Sequence, residues 1–148
     1  MSTTAAGTTI AIGAAAPATQ DAAGYTALTL IVIGGVEQIG AIGAVTNKVE
    51  FQPLNGPKEK HKGSTDFGSL SPSIAHDDLD AGQILLRTAS EPTNNTLYPI
   101  CVTLPTGEKR YSMGRVFGYP ETIGNADSIV MANPTIELNT KIVKVAAP

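Results

Sequence analysis

The side chains best suited to chemistry are two histidines and the aspartates near them. His61 and His76 could combine with Asp66, Asp77 or Asp78 to bind a metal ion. Their spacing matches neither the HExxH pattern of zinc enzymes nor the loop of an EF-hand. We therefore interpret His61 as part of a solvated loop and His76 as part of a helix start, and the sequence predicts no metal site.

The serines, the cysteine and the glycines also lack the patterns that catalysis or phosphate binding requires. Ser69, Ser71 and Ser73 alternate along a strand-like segment, without a GxSxG elbow or a base at a defined offset. Cys101, the single cysteine, lies in the apolar run LYPICVTL with no basic residue beside it, so we expect a small core residue. Four glycines do not form GxGxxG ahead of a helix and are expected at turns and close approaches: Gly34, Gly35, Gly40 and Gly43. The sequence thus predicts neither an enzyme nor a cofactor.

Length and charge narrow the class further. The 148 residues fit one domain, residues 1–148, with a net charge of -3 that argues against broad adhesion to nucleic acid or membranes. No Lys or Arg precedes Lys48, so the N-terminus lacks the basic region of a secretory signal. The most apolar run, residues 27–36, is about half the ~20 residues that a membrane-spanning helix needs. We therefore expect no export by that route and no membrane partner.

Hydrophobic periodicity predicts mostly strands. Segments 8–13 and 26–33 are predicted strands, and residues 45–51 alternate as a half-buried strand should. Residues 98–104 and a return strand from about Arg110 flank the turn PTGE, in which Gly107 is free to take a positive φ. A long last strand covers residues 136–145, with a change of parity that suggests a bulge or burial on both faces. The resulting fold class is a mainly β sandwich or flattened barrel, with residues 1–25 forming an arm and the first strand.

One helix is predicted over residues 77–89. Asp77 is placed to cap it, and Asp78 and Asp80 occupy the first turn, where the helix dipole favours anions. A narrow apolar stripe recurs at helical spacing and is expected to face the sheet: Ala81, Ile84, Leu85, Thr88 and Ala89. Gly82 in the interior costs about 1 kcal/mol relative to Ala, which close packing on a sheet would justify.

A charged loop, residues 53–62, is the best candidate for a contact with another molecule. It contains Lys58, Glu59, Lys60, His61 and Lys62. Ten residues exceed the two to five usual for a hairpin connection, and long loops in compact domains tend to be functional or disordered. We favour a subunit contact. A solvated hairpin tip and a nucleic-acid-binding finger are the alternatives, the latter weakened by the lack of interleaved aromatic residues.

Four segments of the chain resemble, in the same order, the major tail tube proteins of long flexible-tailed, siphovirus-type bacteriophages. They are GTTIAIG, VEQIGAIG, KGSTDFGSLSPSIAHDDLDAGQILL and NPTIELNTKIVKV. The most specific piece is DAGQ followed by an apolar pair, here residues 80–85. Together the segments span nearly the whole chain. The resemblance implies a β-sandwich with one helix and a long hairpin loop, assembled as homo-hexameric rings that stack head to tail into a hollow virion tail tube.

The resemblance also implies partners and a place of action. The tube would meet a tape-measure protein, a tail terminator and distal tail proteins, and genomic DNA would pass through the lumen during ejection without specific binding. Assembly would take place in the host bacterial cytoplasm. Mild net acidity suggests a neutral to acidic lumen, and Glu37, Glu50 and Asp66 are candidates to face it because they fall on or beside strands expected to line the barrel.

Two other classes stay open. A secretion-system tube protein would share the principle of a stacked tube. A monomeric β-sandwich binding module, for example for carbohydrate, would more often carry exposed aromatic residues, and this chain has no Trp.

Overall fold

The computed structural model describes residues 2–148. In that range the chain forms thirteen strands and two helices. In chain order these are β1 (Thr9–Ile12), α1 (Ala22–Thr26), β2 (Ile31–Val32), β3 (Val36–Gln38), β4 (Val45–Phe51), β5 (Glu59–Asp66), β6 (Ser69–Leu70), β7 (Ser73–Ala75), α2 (Ala81–Ala89), β8 (Tyr98–Thr103), β9 (Lys109–Gly118), β10 (Glu121–Thr122), β11 (Met131–Ala132), β12 (Thr135–Leu138) and β13 (Val143–Val145).

The largest sheet has seven strands in the order β2-β1-β8-β9-β12-β6, with β13 also paired to β9. All of its pairings are antiparallel. The predicted hairpin at its centre is confirmed: β8 pairs with β9, and Gly107 in the turn has a φ of 97°. The ten-residue strand β9 extends beyond β8, so its far edge holds both β13 and β12.

Burial on both faces of β1 and β8 divides the interior into two clusters. The larger lies between the sheets and includes Ile10, Ile12 and Ile100. The smaller contains Cys101 and Tyr111 on the opposite face of the same strands, where α1 covers the sheet. Since side chains alternate along a strand, neighbouring residues of β8 enter different clusters. The prediction that Cys101 is a core residue is confirmed.

A second sheet, in the order β10-β11-β7-β3, forms the other layer, and α2 packs near β1, β2 and β9. The mainly β class is therefore confirmed, with a short helix α1 in addition to the predicted one. Asp21 caps α1: its carboxylate accepts a hydrogen bond from Gly24 N at 2.8 Å and lies 2.7 Å from the Thr19 hydroxyl. These hydrogen bonds lower the pKa of Asp21.

A third sheet consists of β4 and β5, which pair only with each other among the strands of residues 2–148. Strand β4 has the predicted bounds, but the prediction that it is half-buried is wrong, because all seven of its residues are exposed. The alternation of apolar and polar side chains is present, yet the apolar residues Val45, Val49 and Phe51 are each more than half exposed. We call this unit, Val45 to Asp66, the projecting hairpin.

Three other predicted boundaries need correction. Residues 26–33 are not one strand: α1 ends at Thr26, and β2 covers only Ile31–Val32. The long last strand is two strands, β12 and β13, which contact different parts of β9. The charged loop 53–62 is shorter than predicted, because β5 already begins at Glu59; the connection is residues 52–58.

The predicted helix 77–89 begins later than expected. Helix α2 starts at Ala81, and its N-cap is Asp80, whose carboxylate accepts from Gln83 N at 3.0 Å. Asp77 lies in the preceding turn and accepts from Leu79 N at 3.0 Å. The predicted apolar stripe is shifted by about one position, because the buried residues include Gln83 and Leu86, whereas Ile84 is 45% exposed. No helix in residues 2–148 is long and apolar enough to cross a membrane.

Candidate subunit-contact surface

One face of the projecting hairpin carries the three apolar side chains of β4, together with Asn47, and is open to solvent; we call it the apolar face. Val45, Val49 and Phe51 share a parity on β4 and are 68%, 52% and 56% exposed. Cross-strand partners share a face, so His61 lies beside Val49 and Glu59 beside Phe51. An isolated two-stranded hairpin is marginally stable at best in water. Because the apolar side chains of this face are more than half exposed and, within residues 2–148, β4 and β5 pair only with each other, the face is the strongest candidate for a contact with another molecule.

The opposite face is basic. Lys48 faces Lys62 across the hairpin, and Glu50 faces Lys60. Glu50 offsets the like charges, since its two carboxylate oxygens lie 2.8 Å from Lys48 Nζ and 3.5 Å from Lys58 Nζ. These ion pairs are largely exposed and contribute at most about 1 kcal/mol each. The hairpin is therefore a ribbon with one apolar face and one lysine-rich face.

The residues predicted for the subunit contact are split between those two faces. Lys58 lies in the connection, and the other four lie on β5. Lys60 and Lys62 belong to the basic face; Glu59 and His61 belong to the apolar face, with Glu59 Oε2 lying 3.6 Å from His61 Nε2. The apolar residues of β4 that accompany them were missed as contact residues, because their alternation also fits a strand packed on its own core.

The three lumen candidates do not form one cluster of acids. Glu50 is surrounded by lysines on the basic face. Asp66 ends β5, where its Oδ1 accepts from Gly68 N at 2.9 Å. Glu37 is exposed on β3, which pairs with β7 in a different sheet. Which of them faces a lumen stays a prediction.

His76 lies in a polar cluster beside the start of α2. Its Nε2 is 3.3 Å from Asp78 Oδ1, and its Nδ1 is 3.6 Å from Glu121 Oε1 and 3.4 Å from the Tyr119 hydroxyl. Arg87 stacks over the Tyr119 ring at 5.7 Å. The residues described contain no group of three or more side chains placed to hold a metal ion. The cluster joins α2 to β10 and is exposed at Asp78.

The one thiol is poorly suited to nucleophilic chemistry. Burial raises the pKa of Cys101, and a hydrogen bond with Thr103 only partly opposes that rise. Burial likewise raises the pKa of the adjacent Tyr111 to about 12. A thiol needs a depressed pKa to be reactive near neutral pH. The geometry therefore favours a structural role for Cys101.

Gln83 is the polar centre of the contact between α2 and the rest of the fold, which we call the helix junction. The residue is fully buried. Its Nε2 donates to the carbonyls of Gly34 at 2.8 Å and Ala75 at 3.0 Å. Its Oε1 accepts from Asp77 N at 2.8 Å and from the Tyr119 hydroxyl at 3.1 Å. Burial is the main cause that raises the pKa of Tyr119, which keeps that hydroxyl protonated as a donor.

The rest of the DAGQ segment brings α2 close to the turn between β2 and β3. A Cβ at Gly82 would lie 2.7 Å from Ile33 Cα and from Val32 O, so only glycine allows this approach. Asp80 Oδ2 also accepts from Gly34 N at 3.1 Å. The predicted reason for Gly82, close packing on a sheet, is thus confirmed, and the motif is explained by folding.

A groove of about 610 Å³ opens beside the base of the projecting hairpin. Phe67, Leu104 and Ile142 are among its apolar lining residues, and Arg110, Lys141 and Lys144 supply positive charge. Ala44 and Phe67, which line it, directly adjoin the two ends of the hairpin. Sequence reasoning missed this groove because its walls come from five separated segments.

Comparisons with solved structures place this fold among components of injection systems and phage-like particles. The chain aligns over 99% of its length with 98% of a chain in the 6-fold symmetrised baseplate of the anti-feeding prophage, with a TM-score of 0.72 and 8% identity. A second match is a chain from the PVC sheath/tube terminator of an extracellular contractile injection system in the extended state. The TM-score is 0.69 and the sequence identity 8%, over 99% of this chain and 98% of that chain. A third match is a chain from the virion of a native gene transfer agent particle. The TM-score is 0.64 and the sequence identity 14%, over 79% of this chain and 89% of that chain.

At such low identities these likenesses show a shared fold. No protein-family model and no curated protein sequence matches the chain. The mainly β fold implied by the resemblance to tail tube proteins is therefore confirmed.

Proposed function

We propose that the chain is a structural, non-catalytic tube protein of a phage tail or a related particle. Copies form homo-hexameric rings that stack head to tail into a hollow tube. The observation that carries this proposal is the projecting hairpin, whose apolar face is open in the isolated chain. The shared fold over 99% of the chain with a component of a 6-fold symmetrised baseplate supports it.

The contact is heterologous in this proposal. A surface of one copy meets a different surface of the next, and such contacts produce rings where the rotation closes and filaments where it does not. The projecting hairpin provides one of those surfaces, including the predicted contact residues Lys58 to Lys62. A ring or tube would also cover exposed sheet edges, which otherwise invite aggregation.

The proposed location, partners and lumen residues follow from the role as a tail tube. It lies in the tail of a virion, assembles in the bacterial cytoplasm, and meets a tape-measure protein, a terminator and distal tail proteins. Genomic DNA passes through without specific binding, with Glu37, Glu50 and Asp66 as candidates to face the lumen. The residues 1–148 act as one tube domain.

A second candidate is a tube of a contractile injection system. The observation that favours it is the fold shared with chains of the PVC sheath/tube terminator and sheath-tube complex, the latter with a TM-score of 0.63 and 10% identity. The two candidates differ in whether the tube is enclosed by a sheath. Purified native particles with a contractile sheath around this protein would support the injection-system tube. Particles with a flexible tail and no sheath would support the phage tail tube.

Electron microscopy of the purified protein tests self-assembly directly. We expect open-ended tubes or stacked rings of 6-fold symmetry at high protein concentration. The matched variant replaces residues 46–65 by Asn-Gly, because Val45 and Asp66 are paired partners that a two-residue turn can join. This variant should stay a folded β-rich monomer. Tubes of normal length from the variant, or a wild-type protein that remains monomeric at every concentration, would contradict the proposal.

A further inference from the structure

We propose that the groove beside the hairpin base receives the apolar face of the projecting hairpin of a second copy. Phe51 of one copy would insert among Phe67, Leu104 and Ile142 of the next. This inference rests on the proposed self-assembly and adds the surface that receives the hairpin.

The hairpin of the same copy cannot fill this groove. Its strands leave from Ala44 and Phe67 at the groove itself. Phe51 lies six residues along β4 from Val45, which at ~3.4 Å per residue is about 20 Å from the groove. The groove and the apolar face are thus held apart within one chain, and only another molecule can bring such surfaces together.

The two surfaces are complementary in shape and polarity. The groove, about 610 Å³, lies within the ~300–1,000 Å³ typical of pockets that hold a ligand group, and is large enough for an aromatic side chain with a neighbouring valine. Aromatic side chains seated in desolvated pockets dominate many protein interfaces. Phe51, with Val49 beside it on the same face, is the exposed aromatic anchor of the hairpin.

The charges are complementary as well. The acid next to Phe51 on the apolar face is Glu59, its cross-strand partner. The groove carries Arg110, Lys141 and Lys144, and neither lysine forms an ion pair with any residue in 2–148. Arg110 has only a long contact of 3.9 Å with Glu108. Seating the other face would instead bring Lys48, Lys60 and Lys62 against these cations, with Glu50 as the one acid among them, so charge favours the apolar face.

Disulfide cross-linking tests the contact. The double variant Phe51→Cys/Ile142→Cys should give a ladder of linked oligomers on non-reducing gels after mild oxidation, since a disulfide requires Cβ atoms within about 4.5 Å. Each single variant should give dimers at most. The native Cys101 is buried and does not compete. The matched control is Phe117→Cys/Ile142→Cys, because Phe117 is 66% exposed on a strand outside the hairpin and should give no ladder.

Charge reversal provides a second measurement. Glu59→Lys alone and Lys141→Glu/Lys144→Glu alone should each raise the protein concentration needed for assembly about tenfold. Combining all three substitutions should restore part of the loss, which simple misfolding would not do.

The outcomes separate this inference from the proposed function. Tubes that form normally while the 51/142 pair gives no ladder would overturn the inference and leave self-assembly intact. Cross-linking of Phe51→Cys in native particles to a different protein, and not to Ile142→Cys, would also overturn it. A wild-type protein that never assembles would contradict both the inferred groove contact and the proposed function.

Discussion

The helix junction and the projecting hairpin differ in where their side chains find partners. At the junction, all four hydrogen-bonding positions of the Gln83 amide are used within the chain. On the hairpin, Phe51 and Val49 are more than half exposed, and β4 and β5 pair only with each other. Both segments have a regular amphipathic pattern in the sequence. The side chains of the helix junction find their partners within the described chain, whereas the apolar side chains of the hairpin stay exposed. If the proposed assembly is correct, folding and assembly depend on different segments of the chain.

The difference has an energetic consequence. A buried polar group that loses its partner costs about 1–3 kcal/mol, so changes at the junction should lower the stability of the whole domain. Exposed side chains on the hairpin contribute little to the free energy of unfolding of the monomer. They should matter only once a second molecule covers them.

Gln83→Leu should lower the free energy of unfolding by about 4 kcal/mol, because four buried groups lose their partner at once. Leucine nearly matches the shape of glutamine but leaves the carbonyls of Gly34 and Ala75, the amide of Asp77 and the Tyr119 hydroxyl without their partner. Urea unfolding of the monomer measures the change. The matched control, Gln52→Leu in the exposed hairpin connection, should leave the midpoint unchanged. Equal effects of the two substitutions would show that the junction is not specially stabilised by its amide.

Leu86→Ala and Ile84→Ala separate the buried from the exposed side of α2. Leu86 is fully buried in the larger cluster, so its truncation should cost about 3 kcal/mol. Ile84 is 45% exposed and should cost about 1 kcal/mol or less. Thermal melting of the two variants side by side is sufficient. A larger loss from Ile84→Ala would mean that the predicted stripe, and not the observed one, faces the core.

Phe51→Ser should change the stability of the monomer by less than about 0.5 kcal/mol, because Phe51 is 56% exposed on a strand that pairs with β5 outside the two larger sheets. Assembly should nevertheless be lost. Thermal melting and electron microscopy on the same preparation test both statements. If the melting temperature falls as far as it does for Leu86→Ala, the hairpin belongs to the folding unit and the comparison fails.

The sequence predicted the central hairpin well because its turn and its alternation are local signals. PTGE with Gly107, flanked by alternating apolar residues, specifies β8 and β9 without reference to the rest of the chain. Residues 26–33 were predicted as one strand, because a continuous apolar run does not distinguish a strand from a helix end followed by a loop. The cap of α1 by Asp21 was a signal that could have placed that helix.

The site was harder to predict because burial depends on residues distant in the chain. Polar Gln83 was left out of the apolar stripe, although its amide is buried where four separate segments meet. Conversely, Val49 and Phe51 have the pattern of a half-buried strand and are exposed. The periodicity of a strand indicates that one face is apolar. It does not indicate whether that face packs on the same domain or on a neighbouring molecule.

Glu50→Lys should have the smallest effect on stability and tests the proposed lumen. It removes ion pairs of 2.8 Å with Lys48 and 3.5 Å with Lys58 and adds a positive charge to the basic face. Because exposed ion pairs contribute little, the free energy of unfolding should change by less than about 1 kcal/mol, and tubes should still form. If Glu50 faces the lumen, the added lysine attracts the DNA backbone and should slow genome ejection, most strongly at low salt, where screening is weakest. Ejection from particles carrying Glu50→Gln should be slowed less, because the neutral amide removes the acid without adding a cation. Equal ejection rates for wild type and Glu50→Lys at low ionic strength would exclude Glu50 as a lumen residue that governs DNA passage, and would leave its role to the pairing of the lysines on the hairpin.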